Sequence, residues 1–257
     1  MGFVERFKKW QVPAGKVGIV WLAQAGFMFK LPNGKVIMLD PYLTDYTHKA
    51  IPKDAYIRIS SPLFDPEDIK ADYLFISHEH QDHADMDAYP ILAKDCKVFG
   101  NPETLEKLNE MKIDPCDYKL IAEGDELNED GFKVYVVRAD HGPGVKHALG
   151  FVFDFAGTKV YYSGDTAYSP ELLKKPLELQ PEIALLPING AYGNLNAVEA
   201  AVYARELKSK VCIPHHYWTF PDHVAELGEP MSALKYFPLI VPDCELKLVT
   251  PGQLIEY

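Results

Sequence analysis

Three of the nine histidines in this chain of 257 residues fall within six positions, in the segment Ser77-His78-Glu79-His80-Gln81-Asp82-His83. Imidazole and carboxylate are the donor types that suit Zn, Mn or Fe. On a loop, His78 and His80 can face one side while Asp82 and His83 face another. One short segment can therefore feed two adjacent ions. A bound divalent ion lowers the pKa of water and polarises a carbonyl or phosphoryl oxygen, so the chemistry expected of such a segment is metal-assisted hydrolysis. A covalent route through serine lacks its usual signature, because no G-x-S-x-G elbow occurs.

Such a segment must be positioned by regular structure. The cluster directly follows Tyr73–Ser77, which is apolar up to the serine and reads as a strand buried on both faces. Upstream, Val17–Leu22, Phe27–Leu31 and Val36–Leu39 read as strands, with Asn33-Gly34 as the hairpin turn between the last two. Downstream, a helix is expected around Met86–Leu92, and Pro102 with Glu103 opens another that runs to about Met111. The second half follows the same style. Phe132–Arg138, Leu149–Phe155 and Lys159–Ser163 read as strands, with Ala156-Gly157 turning between the last two. Ile183–Leu186 and Val211–Ile213 are further strands. Asn196 and Glu199 have capping-box spacing for a helix ending near Leu207. Strands before the first long helix, then strand–helix alternation in each half, fit two sheets with helices outside. The pattern alone equally admits a three-layer α/β fold.

Composition sets the outer bounds. Hydrophobic residues make up 47% of the chain, enough for a packed core. The length suits one large domain, expected to span residues 1–257 with 1–15 as an N-terminal extension. No apolar run is long enough to span a bilayer. The opening residues make a poor signal peptide and lack the myristoylation pattern, since Arg6 stands where Ser or Thr is needed. The net charge of −11 repels phosphate backbones and argues against nucleic acid as a partner. A small-molecule substrate is expected, an anionic one included, and a homo-oligomer is compatible with the sequence. Cys96, Cys116, Cys212 and Cys244 form no C-x-x-C pair, so reduced thiols and a cytoplasmic location are expected.

The H-x-H-x-D-H segment after an apolar strand resembles the signature of the metallo-β-lactamase superfamily. That resemblance implies a four-layer αββα sandwich and a dinuclear metal-dependent hydrolase. It assigns His78 and His80 to one ion, and Asp82 and His83 to a second. Three later motifs are similar to the remaining family ligands. In Arg138-Ala139-Asp140-His141, His141 would complete the first ion. In Tyr162-Ser163-Gly164-Asp165-Thr166, Asp165 would bridge the two. In Ile213-Pro214-His215-His216-Tyr217, the family spacing favours His216 as the last ligand and makes His215 a pocket residue. Asp40, before Pro41, resembles the superfamily aspartate that hydrogen-bonds the ligand loop. Asp82 and Asp165 are the expected catalytic carboxylates, with Asp82 able to pass a proton to the leaving group. Tyr192 and Tyr217 are candidate hydrogen-bond donors to substrate, and His147 a candidate substrate contact. Each motif alone is ordinary; a lone S-G-D is usually a turn. Their order after the cluster gives them weight.

The phrases Trp21-Leu22-Ala23-Gln24-Ala25-Gly26-Phe27, Asp165-Thr166-Ala167-Tyr168-Ser169 and Pro187-Ile188-Asn189-Gly190 look most similar to the branch holding L-ascorbate-6-phosphate lactonases. The implied reaction is hydrolysis of a small ester or lactone by a hydroxide shared between two Mn or Zn ions, with Fe also suited. The alternative is a phosphodiesterase similar to the phospholipase D type that cleaves N-acyl phosphatidylethanolamines. A more distant one is a non-catalytic metal-binding or redox scaffold.

Overall fold

The computed structural model describes residues 1–115, 117–221 and 230–257. Cys116 lies outside the described residues. The chain gathers into two compact units, residues 1–121 with 250–257, and residues 122–249.

The first unit is built on a seven-stranded sheet. β1 (Gly18–Ala23), β2 (Gly26–Lys30) and β3 (Val36–Leu39) form an antiparallel meander, and the C-terminal strand Ile255–Glu256 adds antiparallel to β1. The sheet then turns parallel through β4 (Tyr73–Phe75), β5 (Lys97–Gly100) and β6 (Asp117–Leu120). Every residue of β1 to β4 is buried, as strands covered on both faces require. The N-terminal helix α1 (Phe3–Lys9) buries Phe7, whose carbonyl accepts a hydrogen bond from the buried Lys30 ammonium at 2.7 Å. Leu74, Ile76, Met86, Tyr89 and Leu108 share one core cluster with α1 and the meander.

The second unit repeats the plan. β7 (Glu126–Glu129), β8 (Phe132–Arg138), β9 (Leu149–Phe155) and β10 (Thr158–Tyr162) are antiparallel. β11 (Ile183–Pro187), β12 (Val211–His215) and β13 (Glu245–Leu246) continue in parallel. Between β11 and β12 runs the helix Ala197–Leu207, whose capping box forms as its spacing predicts: Asn196 Oδ1 accepts from the backbone N–H groups of Val198 and Glu199, and Glu199 accepts from Asn196 N.

Two expectations are corrected, and two further strands are added. The helix expected around Met86–Leu92 shrinks to Tyr89–Leu92. Its first turn is occupied by Asp85, whose carboxylate is recruited by Leu43 N, Thr44 N and Thr44 Oγ1 at 2.7–2.8 Å and also accepts from Ala88 N. The strand expected to run to Ser77 ends at Phe75, because the backbone of Ser77 turns to donate to Asp40. β6 and β7 went unread because each is a largely exposed edge strand without apolar alternation. No helix among the described residues is long and apolar enough to cross a membrane.

Candidate metal centre

In the first unit the ligand loop leaves the C-terminal end of β4, the end of parallel strands where binding residues collect. Asp40 is the residue that ties it down. It ends β3 in the left-handed region, with φ of 44°, and its side chain is wholly buried. Asp40 Oδ1 accepts from Ser77 N at 2.7 Å, while Oδ2 accepts from Ser77 Oγ at 2.5 Å and from His83 Nδ1 at 2.8 Å. Ser77 Oγ in turn lies 3.0 Å from His78 Nδ1. A carboxylate only accepts, so the Nδ1 of His83 carries the proton. Ser77 spends its proton on Asp40, so it accepts from the Nδ1 of His78. Both imidazoles are thereby left with the Nε2 lone pair, the form that coordinates a metal.

The cluster is compact. The rings of His78 and His83 have centroids 4.0 Å apart, and those of His78 and His80 are 4.7 Å apart. His78 and His80 bring ring nitrogens within 4.8 Å of each other, as do His78 and His83; an Asp82 oxygen comes equally close to a His83 nitrogen. His78 and His83 are buried, while His80 and Asp82 are half-buried.

Residues not singled out in the sequence support this loop. Gln24 sits in the β1–β2 turn with φ of 48° and donates Nε2–H to Asp82 Oδ2 at 2.7 Å. Lys107 Nζ donates to the carbonyl of Glu79 at 2.6 Å, and burial lowers its pKa. Tyr89 donates to the carbonyl of His83 at 2.6 Å; burial holds its hydroxyl well above the usual range. Burial also raises the Asp85 carboxyl, against the hydrogen bonds it accepts. Tyr42, two residues after Asp40, is pushed up to about 12, chiefly by burial and further by the charges of Asp82 and Asp85, so it stays a neutral donor.

In the second unit the focus is Asp165. Its Oδ2 lies 3.6 Å from His141 Nε2 and 3.1 Å from His216 Nε2, and it accepts from Asn194 Nδ2 at 2.9 Å. All three acidic and imidazole side chains are almost fully buried. The S-G-D turn needs its glycine: Gly164 has φ of +64°, and a Cβ there would meet the Leu149 carbonyl oxygen at 2.4 Å. His216 also takes a left-handed backbone, φ 64°, which turns it off the end of β12. Ala167 N donates to Asp140 O at 2.7 Å, and Leu195 N donates to Thr166 O at 2.9 Å, so the segment after Asp165 is bonded both to the segment of His141 and to that of Asn194.

The remaining predicted residues lie in different surroundings. His215 is fully buried and stacks on Tyr162, with ring centroids 5.2 Å apart. Tyr217 is buried and donates to the carbonyl of Val249 at 3.2 Å. Tyr192 is 54% exposed with φ of 55°, and His147 is exposed. Asn194 and Gln24 give no signal to a sequence reading, although Gln24 lies in one of the phrases that carried the branch resemblance.

The donor set fits divalent cations on the structure's own distances. Two donor atoms on one ion, with bonds of about 2.1 Å, sit roughly 3.0 Å apart at octahedral angles and roughly 3.4 Å apart at tetrahedral ones. The 3.1 Å separation from Asp165 Oδ2 to His216 Nε2 falls between these values, and the 3.6 Å separation to His141 Nε2 lies slightly beyond the tetrahedral one.

Comparison with known proteins agrees. Residues 18–216 match the family model described as Beta-lactamase superfamily domain. The chain is 28% identical over 270 residues to a "UPF0173 metal-dependent hydrolase" of Polynucleobacter asymbioticus, covering 95% of this chain and 87% of the relative. It is 30% identical over 207 residues to "UPF0173 metal-dependent hydrolase Ta0764" of Thermoplasma acidophilum, covering 79% of this chain and 84% of the relative. The solved structure of Igni18, "a novel metallo hydrolase" of Ignicoccus hospitalis, is similar with a TM-score of 0.71 at 21% identity, covering 94% of this chain and 98% of that one.

Proposed function

This chain belongs to the metallo-β-lactamase superfamily, among its UPF0173 metal-dependent hydrolases, and has that superfamily's α/β fold; from that premise we propose that it hydrolyses a small ester or lactone with two divalent ions. The family pattern assigns His78, His80 and His141 to one ion and Asp82, His83 and His216 to the other, with Asp165 bridging. The observation that carries the reading is the position of Asp165 Oδ2. This single oxygen stands within 3.6 Å of His141 Nε2 and 3.1 Å of His216 Nε2, the assigned ligands of different ions. A bridging oxygen would have such neighbours.

Mn, Zn or Fe ions held by this donor set supply Lewis-acid polarisation of the scissile group and an acidified water. The chain's own residues do the rest. Asp40 and Ser77 hold His78 and His83 in the tautomer that presents Nε2. Gln24 holds Asp82 Oδ2, leaving Oδ1 to take the proton released by the attacking water and pass it to the leaving group. Tyr192 and His147, both exposed, are the proposed substrate contacts. Buried His215, its ring centroid 6.2 Å from that of His216, would support the last ligand from behind, while the Tyr217 hydroxyl, expected as a substrate donor, donates to the Val249 carbonyl instead. The three phrases that resemble the L-ascorbate-6-phosphate lactonase branch are the reason a lactone stands among the proposed substrates, and the net charge of −11 disfavours nucleic acid.

Elemental analysis should approach two ions per chain after reconstitution with Mn or Zn. A panel of lactones, p-nitrophenyl esters and bis-p-nitrophenyl phosphate should give turnover on the first two classes; preference for the diester would favour the phosphodiesterase instead. Asp165→Asn keeps the shape but removes the charge, and should empty one site and slow turnover roughly a thousandfold, or several kcal/mol at ~1.4 kcal/mol per tenfold. A folded variant with two ions and normal turnover would refute the bridging assignment.

A further inference from the structure

Asn194 donates Nδ2–H to Asp165 Oδ2 at 2.9 Å, across 29 residues of sequence. We infer that Asn194 is a positioning residue for the proposed bridging carboxylate, and that it sets the affinity of the metal centre. The inference rests on the hydrolase reading above and adds to it a residue that the family pattern does not assign.

The geometry distinguishes Asn194 from an ordinary loop asparagine. Asp165 follows a glycine turn, and its Oδ2 lies 3.6 Å from His141 Nε2 and 3.1 Å from His216 Nε2 as well as 2.9 Å from the Asn194 donor. The donor comes from a frame bonded to the same turn. Leu195 N donates to Thr166 O at 2.9 Å, so the residue after Asn194 is held to the residue after Asp165. Within the frame, Gly190 N donates to Leu195 O and Asn194 N to Ala191 O, each at 3.0 Å. Gly193, with φ of +85°, allows the tight return, and the capping box at Asn196 anchors the far end to a helix. Asn194 is 6% exposed, so its bond to the carboxylate is made with little competition from water. The orientation of the amide follows as well. Its oxygen would repel an ionised Asp165, so the nitrogen must face it.

A donor on a ligating carboxylate matters in two ways. It keeps the group ionised and aimed, and its loss commonly weakens metal binding. A purely structural asparagine would instead support the loop without regard to the metal. Asn189 supplies the comparison. It lies in the same loop and is wholly buried, and neither of its amide atoms has a hydrogen-bond partner among the described residues.

The test is metal binding, measured without turnover. Apo protein prepared by chelation is titrated with Zn²⁺ against a chromophoric chelator, for wild type, Asn194→Leu, Asn194→Ala and Asn189→Leu. Melting curves are recorded for each. The leucine preserves side-chain size without a donor, and the alanine serves if the leucine fails to fold. Asn194 variants should lose roughly 10- to 100-fold in affinity for at least one ion, while Asn189→Leu stays within about twofold of wild type, less than the range expected for a partner of a ligand. Equal affinity in folded Asn194 variants, or the same loss in Asn189→Leu, would overturn the inference and leave the hydrolase reading standing. A wild type that binds no ion would overturn both.

Discussion

Replacing Asp40 by Asn probes the support of the ligand loop more cleanly than replacing a ligand. Asp40 accepts three hydrogen bonds, one on Oδ1 from Ser77 N and two on Oδ2 from Ser77 Oγ and His83 Nδ1. Asparagine tolerates a left-handed backbone at least as well as aspartate, so the φ of 44° adds no cost of its own. The amide oxygen can still accept from Ser77 N. Its NH₂ then replaces Oδ2 and faces two donors. Hydrogen bonds to a charged partner contribute about 1.5–3 kcal/mol each, so losing two predicts a loss of roughly 3–6 kcal/mol. The second effect is on the tautomer. His83 can accept from the new amide only by moving its proton to Nε2, which removes the lone pair assigned to the metal. His78 loses the constraint relayed through Ser77. Metal affinity should fall by about 10- to 100-fold or more, the usual effect of removing such a partner. Urea unfolding of the apo protein reads the first effect, and Zn²⁺ titration of the folded variant reads the second. A variant within about 1 kcal/mol of wild type, against a cost of at least ~3, and with unchanged affinity, would show that Asp40 neither holds the loop nor selects the tautomer.

Gly164→Ala combines a left-handed backbone, costing about 1–2 kcal/mol, with a methyl group 2.4 Å from the Leu149 carbonyl oxygen. It should destabilise the protein by roughly 3 kcal/mol or more, read by urea unfolding; a loss under about 1 kcal/mol, less than the backbone term alone, would mean that the turn is freely deformable. Alkaline pH supplies another test. Burial pushes the Cys244 thiol up to about 11 and Cys212 well above its ordinary range. A raised thiol favours the folded state below the unfolded pKa of about 8.5 and loses that contribution as pH rises through the folded value. Stability under reducing conditions should therefore fall between pH 8.5 and 11, and fall less in Cys244→Ala; parallel curves would refute the assignment.

Much of this protein was determined by short-range sequence. The strands Val36–Leu39, Phe132–Arg138 and Leu149–Phe155 stand where their apolar patterns predict. So does the helix after Asn196, because a capping box is made within four residues. The H-x-H-x-D-H cluster was legible for the same reason, since its donors are neighbours in the chain and need only a strand end to display them. The supporting bonds were not legible in local pattern; only that of Asp40 was expected, and from the family resemblance alone. Asp40 meets His83 across 43 residues, Gln24 meets Asp82 across 58, and Asn194 meets Asp165 across 29. These are short polar side chains at turns, a setting in which Asp, Gln and Asn are common for purely local reasons. Only the register of β3 beside β4, and the backbone bond from Leu195 to Thr166, bring them to the groups they orient. Between His215 and His216, only the family spacing favoured His216; the physical reason lies in the structure. Adjacent residues on a strand point to opposite faces, and the left-handed turn at His216 swings that imidazole to Asp165 while His215 stacks on Tyr162. Donor chemistry was written locally, whereas its orientation depends on hydrogen bonds that only strand pairing could form.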